Sequence, residues 1–252
     1  MKQVSTIGIL GGMGPQATNY FCSLITSLTN ATGDQEHIPV ITFNNSLIPS
    51  RNDALLRGGA SPVPELVKTA RVLEQAGADF ILMPCNTAHF YIDDVASAVA
   101  IPIIDMIKLT LDRILNSMPH VKTVGILASS ATIDTRLYQH PLAEASIVSI
   151  APSAENQHLV MEAIFGKQGI KAGSLSEPRQ SLFDIGRSLI DSGADAILAG
   201  CTEVSLVFRD QQPPFPFIDP LTLLAQTAVD RALAGWGGHE RDIKHTLYSG
   251  RR

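Results

Sequence analysis

The sequence predicts an α/β protein of two pseudo-symmetric lobes, each a mainly parallel four-stranded sheet flanked by helices, with the candidate active site in the cleft between them. Three observations point there: an internal repeat, short apolar runs alternating with helical patterns, and a cysteine at the same place in each repeat. The repeat decides the architecture, because self-similarity at a long period fixes the fold before any local motif does. Residues 63–79 and 179–195 align without a gap at a shift of 116, pairing Leu66 with Leu182, Arg71 with Arg187, Leu73 with Leu189, and one Gly-Ala-Asp triplet with the other. Cys85 and Cys201 fall at the same shift of 116. Flanking segments follow within an indel: Thr6-Ile-Gly-Ile-Leu10 resembles Thr123-Val-Gly-Ile-Leu127, and Pro102-Ile-Ile-Asp105 resembles Pro216-Phe-Ile-Asp219.

In chain order, residues 7–10 form a short apolar strand. The glycine turn after it opens a helix with Pro15 in its first turn, where a missing N–H costs nothing, running to about Leu28. A second strand covers 40–43. Residues 64–76 place Leu66, Val67, Ala70 and Leu73 at helical spacing and stop at Gly77. Third and fourth strands cover 80–83 and 101–104, with a short helix at 95–99 between them. Continuous apolar strands separated by helices are the pattern of a parallel sheet covered on both faces. Helices at 107–115 and about 221–234 correspond, each crossing away from its own lobe's last strand, so the final helix is expected to pack back on the first lobe. The lobes are then 1–107 plus 220–252, and 108–219. The stretch from Trp236 to Arg252 reads as a loosely held tail.

Composition narrows the partners. The 252 residues carry a net charge of −5 with Lys and Arg scattered, so nothing provides the cationic field a nucleic acid needs. No apolar run reaches the 18 or so residues of a membrane span, and the N-terminus lacks a signal-peptide pattern. Three cysteines, Cys22, Cys85 and Cys201, are too few for a secreted disulfide framework. They imply reduced thiols in a cytoplasm.

Ligands of open parallel sheets bind beyond the carboxyl ends of the strands, where both Cys85 and Cys201 sit. A lone free cysteine is usually a buried apolar residue, the reading kept for Cys22. Two at matching repeat positions point to one ligand held between two thiols, each sensitised toward thiolate by a following helix N-terminus. Inverting a carbon centre needs a base on one face and an acid on the other, and a thiolate with a thiol supplies both. No histidine forms H-E-x-x-H, no C-x-x-C occurs and no G-x-S-x-G elbow appears, so neither a metal nor a serine nucleophile is expected. Gly12-Met-Gly14-Pro-Gln-Ala17 fits G-x-G-x-x-A after a strand, but the second strand ends in Asn44-Asn45 with no acidic residue for a ribose. The backbone of this turn, Met13 included, is better suited to approach a substrate carboxylate. His89, four residues past Cys85, fits a core or capping residue, or one that orients the site.

Gly8-Ile-Leu-Gly-Gly-Met-Gly-Pro15, Pro84-Cys-Asn-Thr-Ala-His89 and Gly200-Cys-Thr-Glu203 resemble the signature of the aspartate/glutamate racemase family, in its aspartate racemase and broad-specificity amino-acid racemase branch, over about residues 4–232. The resemblance implies racemisation of an amino acid without cofactor or metal, between half-domains that each donate one catalytic cysteine, Cys85 and Cys201, in a protein forming homodimers. It implies that Asn86, Thr87, Thr202 and Glu203 lie beside them, the Asn and Thr groups donating to the α-carboxylate. It also implies that Arg51, in Pro49-Ser-Arg51, and Lys171, in Gly169-Ile-Lys-Ala-Gly173, grip an acidic side chain, with Lys167 competing for the second role. Ser129 and Thr132 are further substrate-binding candidates, although Ser129-Ser-Ala-Thr132 departs from the family's more usual turn and leaves the preferred substrate open. A maleate-type isomerase or hydantoin racemase using the same thiols, or a non-catalytic amino-acid-binding protein, are the alternatives.

Overall fold

The computed structural model describes residues 4–234. The first lobe contains β1 (Ile7–Gly11), α1 (Pro15–Leu28), β2 (Val40–Asn44), α2 (Arg51–Arg57), α3 (Val63–Gln75), β3 (Phe80–Leu82), α4 (Ile92–Ala96) and β4 (Ile103–Ile104). After α5 (Met106–Ser117) the second lobe runs through β5 (Thr123–Leu127), α6 (Ser130–Asp134), α7 (Gln139–Glu144), β6 (Val148–Ile150), α8 (Ala154–Phe165), α9 (Ser176–Asp191), β7 (Ala196–Ala199), α10 (Thr202–Phe208) and β8 (Phe217–Ile218), and α11 (Pro220–Leu233) ends the described chain. Two four-stranded sheets result, ordered β2-β1-β3-β4 and β6-β5-β7-β8, with every pairing parallel.

The repeat is built from the same local devices twice. Helices α3 and α9 stop at Gly77 and Gly193, whose φ of +94° and +99° lie in the left-handed region that favours glycine. The aspartate two residues later returns to the neighbouring strand. Asp79 Oδ2 accepts from the Thr6 amide at 2.6 Å, and Asp195 Oδ2 accepts from Lys122 and Thr123 at 2.8 Å each. Each Gly-Ala-Asp triplet thus ends a helix and pins a strand. Asp105 and Asp219 then cap α5 and α11 through the amides of Ile107 and Leu221, a contact worth about 1 kcal/mol.

The two connecting helices exchange lobes. Ile107 and Ile114 of α5 pack with Val124, Ile126, Ala196 and Leu198 of the second sheet. Leu221, Leu224, Ala228 and Val229 of α11 pack with Ile7, Ile9 and Phe80 of the first sheet and with Phe21 of α1. At about 1.5–3 kcal/mol for each large apolar side chain fully buried, this exchange fastens the lobes together.

Three expected elements shift. The helix expected at 95–99 lies at Ile92–Ala96, where Asp93 and Asp94 occupy the first turn and favour the positive end of the helix dipole. The strand expected at 101–104 is two residues long, because Pro102 has no N–H and contributes only its carbonyl, to the Ile81 amide at 2.9 Å. The strand at 80–83 ends at Leu82. The tail expected from Trp236 onward lies outside the described residues. Among those described, no helix is long and apolar enough to cross a membrane.

Candidate active site

Cys85 stands three residues past β3, and Cys201 two residues past β7 at the N-cap of α10. Their exposures nearly coincide, 6% and 7%, so the repeat equivalence extends to burial as well as register. Both cysteines lie within electrostatic reach of the Lys171 ammonium.

The cation comes from a 3-10 turn at Ile170–Ala172 and forms a hydrogen-bonded ion pair with Glu203 Oε1. Glu203 Oε2 accepts the Cys201 Sγ–H at 3.0 Å and the Thr202 hydroxyl at 3.3 Å. This pair sits against the glycine turn of the other lobe: a Cβ on Gly14 would lie 3.0 Å from Lys171 Nζ and 3.1 Å from Glu203 Oε1. At Gly12, with φ of +100°, a Cβ would meet the Asn45 carbonyl oxygen at 2.1 Å, so this bend accepts no other residue. The turn therefore serves to let charged groups of the second lobe approach the first. Met13, itself buried, contributes a carbonyl that accepts from Arg51 Nη2 at 3.3 Å and from Lys171 Nζ at 3.5 Å. Its observed role is to gather the two cations.

Arg51 opens α2 and also donates from Nη1 to the carbonyls of Ile48 and Pro49, at 3.3 and 2.9 Å. Its Nε is buried with no protein partner. The Asn86 Nδ2 is likewise buried and unpartnered, while its Oδ1 accepts from the Tyr138 hydroxyl. Unsatisfied buried donors are costly, about 1–3 kcal/mol each, which makes both of these N–H groups candidates to contact a bound group. Thr87, Ser129 and Thr132 form a buried hydroxyl cluster between the lobes, with Thr87 at 3.2 Å from Ser129 and 2.8 Å from Thr132. Those hydroxyls face one another and hold the lobes in register. The Asn52 side chain, accepting from the Ala131 amide at 3.1 Å, adds a second tie.

The electrostatics overturn one expectation. A helix N-terminus was expected to lower both thiols, but burial and the neighbouring Glu203 charge push Cys201 well above the usual thiol range, and Lys171 and the backbone amide of Glu203 only partly oppose them. Cys85 is succeeded by a 3-10 turn at Thr87–Tyr91 in place of an α-helix. Burial alone would raise Glu203, yet Lys171 and the bond from Cys201 bring it below the usual carboxylate range. Burial alone would lower Lys171, and Glu203 with the thiols raises it. The pair is therefore fully ionised at neutral pH.

His89 resolves as a strut. Its Nε2 accepts from the Met106 amide at 3.1 Å, so Nδ1 carries the proton and donates to the Cys85 carbonyl at 2.8 Å. Burial lowers its pKa and keeps it neutral. Cys22 sits 3.5 Å from the Thr42 hydroxyl on α1 and joins no part of the site. Of the two lysines the sequence offers here, Lys167 and Lys171, Lys171 is the one bonded to Glu203 and the Met13 carbonyl. Tyr138, fully buried and bonded to Asn86, is the participant that sequence reading missed. It has no repeat counterpart and no motif around it.

A model of the Asp/Glu/hydantoin racemase family matches residues 10–228. The chain belongs to this family. It is a racemase, and therefore an isomerase. It is 28% identical over 239 residues to the broad specificity amino-acid racemase RacX of Bacillus subtilis, covering 90% of this chain and 98% of that one. The structure of Picrophilus torridus aspartate racemase superposes with a TM-score of 0.81 at 29% identity, covering 90% of this chain and 94% of that one. A glutamate racemase from Francisella tularensis, solved with D-glutamate, shares the fold at a TM-score of 0.64 and 20% identity, covering 92% of this chain and 81% of that one.

Proposed function

We propose that this racemase interconverts the enantiomers of an acidic amino acid, aspartate or glutamate, by a two-base mechanism in which Cys85 and Cys201 work from opposite faces of the α-carbon without a cofactor. The observation that carries the reading is the pair of buried thiols at equivalent strand carboxyl ends of the two repeats, with buried, unpartnered donors on Arg51 and Asn86. One thiolate takes the α-proton while the other thiol delivers its own to the opposite face. The charge that develops runs into the α-carboxylate, so donors already aimed at it lower the barrier more than any general polarity would. Asn86 Nδ2 suits that task, and Thr87 and Thr202 flank it. Arg51 Nε and Lys171 suit the side-chain carboxylate, since a guanidinium edge holds a carboxylate bidentately and an ammonium adds a point charge. Closure of the lobes excludes water, which strengthens every one of these contacts.

The second reading is a wider range of amino acids. Glu203 already neutralises Lys171, which leaves Arg51 as the cation with an unpartnered buried N–H, and the RacX relative is named for broad specificity. The reading carries with it a homodimer working in a reducing compartment, where its thiols stay free. The test is a chiral chromatographic assay of purified protein on L- and D-aspartate, L- and D-glutamate and a panel of neutral amino acids, hydantoins and maleate, with no cofactor added. Racemisation of the acidic pair from either hand supports the proposal. Turnover confined to neutral amino acids moves the substrate to the second reading, and inertness toward all amino acids overturns the function.

A further inference from the structure

A two-base racemase needs one thiol and one thiolate before each turnover, and the two cysteines are not equally placed to be either. The Cys201 proton points at Glu203 Oε2, 3.0 Å away, and Glu203 is held in place by Lys171 on its other oxygen. If Cys201 ionised, thiolate and carboxylate would stand 3.0 Å apart and share one ammonium, a like-charge pair in a dry site. At the equivalent place beside Cys85, the side chains are an amide and a hydroxyl, Asn86 and Thr87. Position 203 of the second repeat, a glutamate, corresponds to position 87 of the first, a threonine, at the same shift of 116 that relates the cysteines.

Resting on the two-base reading, we propose that Glu203 is a positioning residue that keeps Cys201 protonated, so that the resting enzyme presents Cys201 as the acid and Cys85 as the base. In the turnover that starts from this state, the Cα–H bond breaks and its proton forms the S–H bond of Cys85. The electron pair left on carbon spreads into the α-carboxylate. The Cys201 S–H bond breaks as its proton goes to the opposite face of the carbon, leaving a thiolate beside the Glu203 carboxylate. That like-charge contact favours return of a proton from solvent to Cys201 after product leaves, while Cys85 releases its own to solvent. The other enantiomer must meet the less populated form with Cys201 ionised. Because the equilibrium constant of a racemisation is one, kcat/KM is equal in both directions whatever Glu203 does. Its influence is therefore read on the thiol itself.

The groups that act on Cys201 are few. Glu203 lies on α10, Lys171 on the turn at 170–172, and Tyr138, a phenol held un-ionised by burial, precedes α7. Cys85 acts on Lys171 from the other lobe. Of the helices packed on α10, α9 contributes Arg179, bound to the Val207 carbonyl at 2.6 Å, and α11 is preceded by Asp219, bound to Ser205 at 2.6 Å.

The experiment is alkylation of the full chain by iodoacetamide across a pH series, read peptide by peptide by mass spectrometry, in the wild type, Glu203→Gln and Glu203→Asp. Glutamine keeps the shape and an acceptor oxygen but leaves Lys171 facing the thiol uncompensated. The Cys201 midpoint is expected to fall by about one pH unit or more, a tenfold gain in thiolate at a given pH below it, with a smaller fall in Glu203→Asp. A residue with only a packing role would not move this midpoint downward. An unchanged or raised Cys201 midpoint in Glu203→Gln overturns the proposal. If circular dichroism shows that variant unfolded, Glu203→Asp decides in its place, a fall supporting the proposal and its absence overturning it. The measurement needs no turnover, so failure of the racemase reading would register in the chiral assay and failure of this one in the titration.

Discussion

The two lobes share strand order, helix stops, capping aspartates and a buried cysteine, yet they surround those cysteines differently. Beside Cys85 stand neutral groups: Asn86 and Thr87 of the first lobe, bonded across to Tyr138 and to the Ser129 and Thr132 hydroxyls of the second. Around Cys201 the second lobe arranges an ion pair, Glu203 with Lys171. The repeat preserves what supports each strand end and differs in the side chains beside each cysteine. On the proposed two-base reading, symmetry is kept where an α-proton is reached from two faces and lost where the remaining, unlike substituents of that carbon are recognised.

The largest effect should come from removing either thiol. Cys85→Ser and Cys201→Ser are each expected to lower racemisation by about 10³-fold or more, the scale of a positioned acid or base. In deuterium oxide each variant should still exchange the α-proton of one enantiomer, a different one in each case, as followed by proton NMR. Full racemisation by both variants would sink the two-base scheme, and exchange of both enantiomers by one variant would show that the thiols do not divide the faces.

Next in size is the charged surround. Lys171→Met strands the Glu203 carboxylate in a buried place, and breaking such a pair on one side costs about 3–5 kcal/mol when it is fully buried. Lys171 retains 27% side-chain exposure, so a loss of about 1–3 kcal/mol is expected in urea denaturation. The double variant Lys171→Met, Glu203→Gln should recover most of it. KM for aspartate and glutamate should rise about tenfold or more in Lys171→Met, with a smaller change for alanine. An equal rise for all three would remove Lys171 from side-chain recognition.

The neutral surround should respond more mildly. Tyr138→Phe removes the donor to Asn86 Oδ1 and leaves that buried oxygen unsatisfied, at about 1–3 kcal/mol. It also frees the amide to turn. A fall in kcat of about tenfold with little change in KM is expected if Tyr138 aims the Asn86 amide at charge developing in the transition state. A stability loss with kcat intact would make Tyr138 a core residue only.

Much of this was legible in the sequence because duplication writes the same physical constraint twice. Gly-Ala-Asp announces a helix stop and a strand anchor, and one occurrence would be noise where two at a shift of 116 are architecture. The matched cysteines were found in the same way. Tyr138 was not, because the β5-to-β6 connection that carries it breaks into two short α-helices where the first lobe has the single α-helix α1, with Arg136 at a φ of +55° in the turn between them, so no sequence match marks it. Nor was the direction of the Cys201 shift, which depends on Glu203 turning back toward its own N-cap, a side-chain rotamer that spacing cannot express. The α2 helix that carries Arg51 was missed because its seven residues fall below the length at which periodicity speaks.

The smallest expected effect separates the lobes by pH. His89 and Ser205 are repeat equivalents at a shift of 116 and perform equivalent tasks, tying the segment after each cysteine to the helix that crosses to the other lobe. His89 reaches the Met106 amide of α5, and Ser205 reaches Asp219 at the start of α11. Only His89 titrates. Its folded pKa is lowered by burial, so between that value and the unfolded value of about 6.5 the unfolded chain binds the extra proton, and stability falls as pH falls. The slope approaches about 1.4 kcal/mol per pH unit for one group. Urea denaturation at about pH 7.5 and about pH 5.5 should therefore show a smaller acid loss in His89→Gln than in the wild type. Ser205→Ala should lower stability by about 1 kcal/mol at both pH values, since a serine hydroxyl does not change charge in that range. An acid loss that is unchanged in His89→Gln would mean that the protonated imidazole finds a partner inside the first lobe.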